Sequence, residues 1–166
     1  MVKRVLVIIA PKDFRDEEYY EPKEVLEKQD IKVTTCSLEQ IAKSAFGKTQ
    51  EVDLLLNEAT SDYDAIILVG GQGATIYFND EEVHSLIKEF FNKGKIVAAI
   101  CVAPSTLAKA GILKGKRATC FPSVKNNLTE NGANYTGEAV TIDKNIITAN
   151  GPKAAKQFGE EIAKKL

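Results

Sequence analysis

The side chain whose surroundings best suit chemistry is Cys101, in the stretch KIVAAICVAPSTLAKA that spans residues 95–110. An apolar, β-branched run passes through this cysteine directly into a helix-forming segment, which predicts a strand, a sharp turn and a helix. Ala99 and Ala103 keep the turn uncrowded, and Pro104 suits the first turn of a helix. A thiol at a helix N-terminus is favoured as the thiolate, so Cys101 is a candidate nucleophile. The alternative is an inert, buried cysteine.

A cluster of acidic side chains, Asp16, Glu17 and Glu18, follows the first apolar run of the chain. The carboxyl ends of parallel strands meet at one edge of a sheet, so we expect this charged loop to approach Cys101. One of the three would then serve as a general acid or base, or as a carboxylic acid hydrogen-bonded to the thiolate. The alternative is a solvated surface cluster, and composition does not select among the three.

A glycine-rich turn, GGQG at residues 70–73, follows a second apolar run. It has neither the lysine of a Walker motif nor the third glycine of a dinucleotide fingerprint, and the acidic loop would repel phosphate. We expect the glycines instead to let backbone N–H groups approach a substrate. Gly71 and Val102 would then donate to an oxyanion beside Cys101. The alternative is an ordinary tight turn.

The remaining cysteines and the single histidine are expected to play smaller parts. Cys120 ends a short strand after the Cys101 segment and is expected to pack in the core, with a resolving thiol as the alternative. Cys36 is expected to be buried or idle. His84 lies beside the apolar stripe of a helix and is expected at the surface or at the boundary of the core, so activation of Cys101 falls to the helix dipole and a carboxylate.

The elements that must position these residues alternate between strands and helices. Strands are predicted at 4–10, 31–36, 51–56, 64–69, 96–100 and 117–120, with a hairpin of 139–143 and 145–149. Helices are predicted at 22–29, at 38–45, after a cap at Asn79, and from 104, 123 and 152. This alternation, without linker or repeat, predicts a single α/β domain over residues 1–166, a doubly wound sandwich that binds ligands at the carboxyl ends of its strands.

Composition narrows the classes of partner. The 166 residues carry a net charge of -1 at pH 7, which gives no basic field for nucleic acid. The N-terminal apolar run is too short for a signal sequence, so we expect a cytoplasmic protein without membrane association. Three cysteines without CxxC spacing fit a reducing compartment better than a disulfide framework or a zinc site. We expect no metal and no cofactor.

Together these residues resemble the DJ-1/PfpI superfamily, with its class I glutamine amidotransferase-like fold, over essentially the whole chain. The matching pieces are KRVLVI at 3–8, Glu18 four residues before Pro22, YDAIILVGG at 63–71, AAICVAP at 98–104, the turn at 111–116, Phe121-Pro122 and ITANGP at 147–152.

The resemblance implies a three-layer, flavodoxin-like α/β sandwich with a mostly parallel central sheet and a nucleophile elbow, and a homodimer or higher homo-oligomer. It makes Cys101 the reactive elbow cysteine, Glu18 its protonated hydrogen-bond partner, and Gly71 and Val102 the oxyanion donors. Further residues expected to line the site are Gly70, Cys120, Phe121, Glu17 and Asp16.

The chain departs from the family pattern at several polar positions. Val102 stands where peptidase-like members have histidine, Phe121 where members have tyrosine or histidine, Asn150 where DJ-1-like members have arginine, and Arg15 where many have glutamate. The nucleophile and its carboxylate are kept, but most polar groups that would bind a substrate are replaced.

The function that these residues and the resemblance imply is a cofactor-independent cysteine enzyme acting on a small-molecule substrate. We expect a stress-response enzyme of glyoxalase or deglycase type that acts on small reactive aldehydes through Cys101 and Glu18. The alternatives are a redox-sensing protein in which Cys101 is oxidised without turnover, and an intracellular cysteine peptidase, which the missing histidine disfavours.

Overall fold

The computed structural model describes the whole chain, Met1–Leu166. Its strands are β1 (Arg4–Ile8), β2 (Lys12–Phe14), β3 (Lys32–Ser37), β4 (Ile41–Ser44), β5 (Thr49–Glu51), β6 (Leu54–Leu55), β7 (Ala65–Leu68), β8 (Ile96–Ile100), β9 (Arg117–Ala118), β10 (Asn134–Tyr135), β11 (Val140–Asp143) and β12 (Ile146–Ala149). The helices are α1 (Asp16–Glu27), α2 (Glu81–Asn92), α3 (Pro104–Lys109), α4 (Lys125–Thr129) and α5 (Ala155–Lys165).

The central sheet has seven strands in the order β11-β12-β8-β7-β1-β3-β6. Only β11, at one edge, runs antiparallel to its neighbour. Helices α1 and α5 pack together on one face, while α2 and α3 pack on the other. Strands β7, β8 and β12 are buried along their whole length, as expected for strands covered on both faces. The predicted three-layer α/β sandwich with a mostly parallel sheet is confirmed.

The order of the strands creates a crevice at the carboxyl ends of β1 and its neighbours. From β1 the chain crosses through α1 to β3 on one side, and later returns to β7 on the other side. Such a reversal is where open α/β sheets bind ligands, because the connections leave the two neighbouring strands in opposite directions. The segments that follow β1, β7 and β8 carry the acidic residues, the glycines and Cys101, so the topology brings all three together.

A second, small sheet of β2, β4 and β5 corrects the helix predicted at 38–45. In β4 the side chains of Ala42 and Ser44 are buried and those of Ile41 and Lys43 are exposed. This alternation is the period of a strand. The buried Asp16 carboxylate holds this sheet in place by accepting hydrogen bonds from Ser44 Oγ at 2.7 Å and from the Phe46 backbone N–H at 3.1 Å. This tertiary contact, which no local pattern reveals, decides the structure of the segment.

Helix α1 begins six residues before the predicted start at Pro22, so the acidic cluster lies in its first turn rather than in a loop. Asp16, Glu17 and Glu18 are favoured there because the positive end of the helix dipole attracts carboxylates. Pro22 sits inside the helix and has no N–H to donate to the carbonyl of Glu18. On its outer side Pro22 packs against α5 at Gly159.

The single strand predicted at 51–56 is wrong, because this segment is divided between the end of β5 and β6, and only β6 joins the central sheet, by pairing with β3. The strand predicted at 117–120 is reduced to β9, which pairs with β10 outside the central sheet.

The hairpin of β11 and β12 is confirmed, with its turn at Lys144, where φ is 56°. Helix α2 is capped by Asp80, one residue after the predicted Asn79, and Asp80 Oδ1 accepts a hydrogen bond from the Val83 N–H at 3.0 Å. No helix is both long enough and apolar enough to cross a bilayer.

The contact between Pro22 and Gly159 predicts the effect of a single added methyl group. A Cβ at residue 159 would lie 2.8 Å from the Pro22 Cα, a backbone atom that cannot move away without shifting α1. Although alanine favours an isolated helix, we expect Gly159→Ala to lower the free energy of unfolding by about 1–3 kcal/mol through overpacking. Urea unfolding measures this change. The exposed Gln157→Ala in the same helix serves as the control, and a stability equal to or above that of the control would contradict the prediction.

Candidate active site

Cys101 occupies the tip of a sharp turn between β8 and α3. Its φ of 66° lies in the left-handed region, which non-glycine residues adopt only where the surrounding structure enforces it. The turn is held on both sides, since the Cys101 N–H donates to the Ala149 carbonyl at 2.9 Å and the Cys101 carbonyl accepts from the Phe121 N–H at 2.7 Å. The predicted strained turn is therefore present, and it leaves Cys101 8% exposed.

Glu18 lies against Cys101, next to Gly70 at the end of β7. A Cβ on residue 70 would lie 2.5 Å from Glu18 Oε1 and 2.7 Å from the Cys101 Cβ, so all three groups are packed around one point. Glu18 is completely buried. Neither of its carboxyl oxygens has a partner that meets hydrogen-bond geometry. A buried carboxylate without partners is costly in free energy, so the Glu18 carboxylate readily takes up a proton.

Burial decides the titration of the pair. It raises the pKa of Glu18 to about 7, although the adjacent Cys101 thiol and the Arg15 charge favour the ionised form. Burial, followed by the charge of Glu18, raises the pKa of Cys101 to about 12. This is the reverse of the thiolate predicted from the helix N-terminus, because desolvation outweighs the dipole of the short helix α3. Near neutral pH the Cys101 thiol therefore keeps its proton, and the Glu18 carboxyl is partly protonated.

Two backbone N–H groups face the Cys101 sulfur. Those of Gly71 and Val102 lie close enough to lower the pKa of the thiol, against the larger effect of burial. Gly71 has a φ of 101°, a conformation that L side chains rarely adopt, so glycine is required at this position of the turn. The sequence singled out the same two residues as oxyanion donors, and the structure places both beside the sulfur.

The glycines of the turn also admit the neighbouring segment of the chain. A Cβ at Gly71 would overlap the Asp13 carbonyl, and a Cβ at Gly73 would overlap the Lys12 carbonyl. The Arg15 N–H also donates to the Gly70 carbonyl at 3.1 Å. The β2 segment thus lies directly on the glycine turn and fixes the start of α1.

The cleft in front of Cys101 has a volume of about 440 Å³. Of the residues expected from the sequence, it is lined by Cys101, Glu18, Gly71, Val102 and Phe121. The residues that the sequence did not single out as lining it are Asp13, Arg15, Ala45, Gln72, Ser123 and Pro152.

The other expected lining residues lie elsewhere. Asp16 holds the small sheet through Ser44. Glu17 lines a neighbouring cleft of about 610 Å³ that shares Arg15, Phe121 and Pro152 with the first. Gly70 lies behind the pair, packed against Glu18 and Cys101. Cys120 is fully buried in the apolar core.

Several lining residues were missed for identifiable reasons. Ala45 follows β4, which the sequence pattern assigned to a helix. Ser123 and Pro152 follow β9 and β12, and the end of β12 could have been found by the same rule that located Cys101, since it is another parallel strand beside β8.

The remaining nucleophilic and metal-binding side chains lie outside the cleft. Burial raises the pKa of Cys36 and that of Cys120 to about 12, as it does for Cys101, but neither of these two cysteines lines the cleft. His84 is half-buried, with Nε2 2.7 Å from the Phe78 carbonyl, and it does not line the cleft. No group of three or more His, Cys, Asp or Glu side chains is arranged to hold a metal ion.

The model of the DJ-1/PfpI family matches residues 3–165. An uncharacterized protein of Methanocaldococcus jannaschii is 43% identical over 166 residues, covering 97% of this chain and 81% of its own. A protein of Pyrococcus abyssi named as a deglycase is 30% identical over 165 residues, covering 98% of this chain and 99% of its own.

Solved structures give the same relationship. A ThiJ/PfpI domain protein from Brachyspira murdochii superimposes with a TM-score of 0.96 at 31% identity, covering 99% of this chain and 96% of that chain. DJ-1beta of Drosophila melanogaster superimposes with a TM-score of 0.93 at 34% identity, covering 100% of this chain and 91% of that chain.

The buried Glu18 carboxyl predicts a pH dependence of stability. Its pKa rises from 4.5 in the unfolded chain to about 7 in the folded protein, so the folded state binds the proton more tightly. Between these two values an increase in pH therefore destabilises the fold, by a total on the order of 3 kcal/mol. Glu18→Gln removes this pH-dependent loss of stability. We therefore expect the unfolding free energy of the variant to increase relative to that of the parent protein as the pH rises from 4.5 to 7.

Urea unfolding at pH 4.5, 5.5, 6.5 and 7.5 measures both proteins. The exposed Glu89→Gln on α2 is the matched control and keeps the pH slope of the parent protein. Parallel stability curves for Glu18→Gln and the parent protein would show that Glu18 does not titrate in this range.

Proposed function

The chain belongs to the DJ-1/PfpI family, and we propose that within it the protein is a cofactor-independent enzyme that acts on small reactive aldehydes through Cys101 and Glu18. One observation carries this proposal: a completely buried, unpartnered carboxyl group lies against a cysteine that opens onto a cleft. The similarity to a protein named as a deglycase supports the same class of chemistry.

The first step uses Glu18 as a base. The Cys101 sulfur attacks the aldehyde carbon of a 2-oxoaldehyde while Glu18, whose pKa lies near 7, accepts the thiol proton. The former carbonyl oxygen becomes an oxyanion beside the N–H groups of Gly71 and Val102, which supply fixed dipoles without reorganisation. Glu18 then protonates this oxygen, so a neutral hemithioacetal forms and the carboxylate is regenerated.

The same carboxylate completes the conversion. It removes the proton from the carbon bonded to sulfur, which leaves an enediolate with its negative charge on the oxygen of the adjacent carbon. The proton then returns to that adjacent carbon, and the hydroxyl proton on the first carbon passes to the oxygen of the second. A thioester and a hydroxyl group result, so one carbon is oxidised as its neighbour is reduced. Water hydrolyses the thioester, releasing a 2-hydroxy acid and restoring the thiol. The balance requires one water and no external oxidant, in keeping with an enzyme that needs no cofactor.

The peptidase alternative gains no support from the site. Such an enzyme needs a group that protonates the leaving amine, usually histidine, and the only histidine lies outside the cleft. Positions that carry polar groups in peptidase-like members are occupied by Val102 and Phe121, both of which line the cleft. A small aldehyde requires neither a leaving-group acid nor an extended binding surface.

We also propose that the protein works as a homodimer or higher homo-oligomer in the cytoplasm, without nucleic acid or membrane partners. The resemblance to the family supports the assembly. All three cysteines are unpaired, which suits a reducing compartment. The near-zero net charge argues against nucleic acid.

The enzymatic proposal predicts that methylglyoxal is converted to lactate by the purified protein. We expect Cys101→Ser to abolish lactate formation and Glu18→Gln to lower kcat/KM by about 10²–10⁴-fold, the usual contribution of a general base. Lactate is measured by an enzyme-coupled assay, so that simple adduct formation does not count as turnover. Cys36→Ala, at a buried cysteine far from the chemistry, is the control. If the parent protein forms lactate no faster than Cys101→Ser, the proposal is wrong.

A redox-sensing role is the second candidate, and the position of Cys101 favours it. Cys101 lines the cleft and is 8% exposed, whereas the other two cysteines are completely buried, so we expect peroxide to reach Cys101 first. Two equivalents of peroxide convert the thiol to a sulfinate and release two waters, and a protonated Glu18 would donate a hydrogen bond to the new oxygens. In this role the same carboxyl stabilises a product instead of moving protons.

This candidate predicts that mild peroxide adds two oxygens to Cys101 before either of the other cysteines is modified. Peptide mass spectrometry after graded exposure measures the order. We expect Glu18→Leu, which removes the donor, to stop at the sulfenic state or to proceed to the sulfonate. Oxidation of Cys36 or Cys120 ahead of Cys101 would rule this role out.

A further inference from the structure

Arg15 is the only positively charged side chain that lines the cleft in front of Cys101. It precedes α1 immediately, three residues before Glu18, and its backbone N–H is fixed to the Gly70 carbonyl at 3.1 Å. The origin of the side chain is therefore set by the same close packing that positions the Glu18 and Cys101 pair. The sequence marked Arg15 only as a departure from the family pattern.

The guanidinium is held in one orientation by two contacts. Its Nε and Nη2 donate to the two carboxylate oxygens of Glu17 at 3.0 and 2.9 Å. Its Cζ lies 4.9 Å from the centre of the ring of Phe46, an exposed residue that follows β4. The contact with Glu17 uses one edge of the planar group, and the contact with Phe46 uses one face. Together they restrict the conformations of this long side chain.

The second edge of the guanidinium has no partner. Nη1 makes no hydrogen bond, and only one N–H of Nη2 is used by Glu17. A guanidinium can bind a carboxylate at each of these edges through paired N–H donors. Arg15 therefore keeps unused donors for a second carboxylate. Arg15 is also close enough to the pair that the charges of Glu18 and Cys101 affect its pKa.

The other ionisable groups around the cleft do not fill this place. Glu18 is buried and carries a proton for much of the time near neutral pH. Asp13 is exposed at the rim. The next cation, Lys153, lines the neighbouring cleft and not the one that contains Cys101. The Arg15 guanidinium is therefore the one fixed cation that a negatively charged substrate group can contact inside the cleft.

We propose that Arg15 determines specificity by binding a carboxylate on the substrate, so that the enzyme prefers 2-oxoaldehydes carrying a carboxylate to neutral ones such as methylglyoxal. This inference rests on the proposed function for its reaction and on the geometry of Arg15 for its selectivity. In such a substrate the aldehyde carbon faces the sulfur, its oxygen meets Gly71 and Val102, and the carboxylate reaches the free edge of Arg15. The product would be a 2-hydroxy dicarboxylic acid.

Alkylation of Cys101 tests the selectivity independently of turnover. Iodoacetate and iodoacetamide have almost the same size and both alkylate a thiolate by displacement of iodide, but only iodoacetate carries a carboxylate. We expect Arg15→Gln to lower the rate constant of iodoacetate at Cys101, divided by that of iodoacetamide, by about tenfold. Loss of one charge-assisted bidentate contact implies a change of this size. Arg15→Lys should retain part of the ratio, and Lys153→Gln, an equal charge change in the next cleft, should leave it unchanged. Peptide mass spectrometry over time gives each rate constant.

The outcomes separate the explanations. An unchanged ratio in Arg15→Gln, or an equal fall in Lys153→Gln, would overturn the proposal, the latter because it would show a general charge effect. An equal fall in Arg15→Lys and Arg15→Gln would also overturn it by pointing to lost packing on Phe46.

Turnover is measured in parallel with 4,5-dioxopentanoate and methylglyoxal, and Arg15→Gln should lower the ratio of their kcat/KM values by a similar factor. A ratio of kcat/KM values that does not fall would overturn the assignment of substrate class. Failure of the parent protein to convert either compound would refute the enzymatic function, while the alkylation ratio would still decide whether Arg15 selects a carboxylate.

Discussion

The close packing at Gly70 is the constraint on which the site depends. The end of β7, the first turn of α1 and the turn after β8 meet there so tightly that a single Cβ would overlap Glu18 and Cys101. Only glycine permits this approach, and the approach leaves the Glu18 carboxyl completely buried. The unusual protonation of Glu18 is thus a consequence of backbone packing, not of a neighbouring charge.

The rest of the fold keeps this packing in register. Pro22 rests on Gly159, which fixes α1 against α5, and the β2 backbone lies on the glycine turn. Asp16 ties the small sheet to the same helix through Ser44 and Phe46. Two acidic residues in the first turn of α1 therefore have separate tasks: Asp16 holds the structure that surrounds the cleft, and Glu18 supplies the ionisable group within it. The difference arises from their environments, because their chemistry is nearly the same.

The electrostatics of the cleft limit what it can do. A cysteine whose pKa is raised by burial is a weak nucleophile until its proton is removed, and Glu18 is the group placed to remove it. Enzymatic and redox roles use this pair differently, the first by moving a proton repeatedly and the second by holding it on an oxidised product. Arg15, at the edge of the cleft, adds the one fixed positive charge and thereby a preference among ligands.

The sequence by itself determined the layered α/β architecture, the turn at Cys101 and the backbone donors beside it. These depend on local patterns: buried apolar runs for the strands, small residues around the turn, and a proline at the first turn of α3. Glu18 was distinguished from its acidic neighbours only by resemblance to the family, because composition and spacing treat the three alike.

Tertiary structure decided the rest. It made residues 41–44 a strand through the Asp16 contact and began α1 at Asp16, six residues before Pro22. It also placed Ala45 and Pro152 at the cleft. It also reversed the expected state of the thiol, since helix position is visible in a sequence but desolvation is not. Burial and the remaining free edge of Arg15 are properties of groups distant in the chain, and they come into being only when the chain is folded.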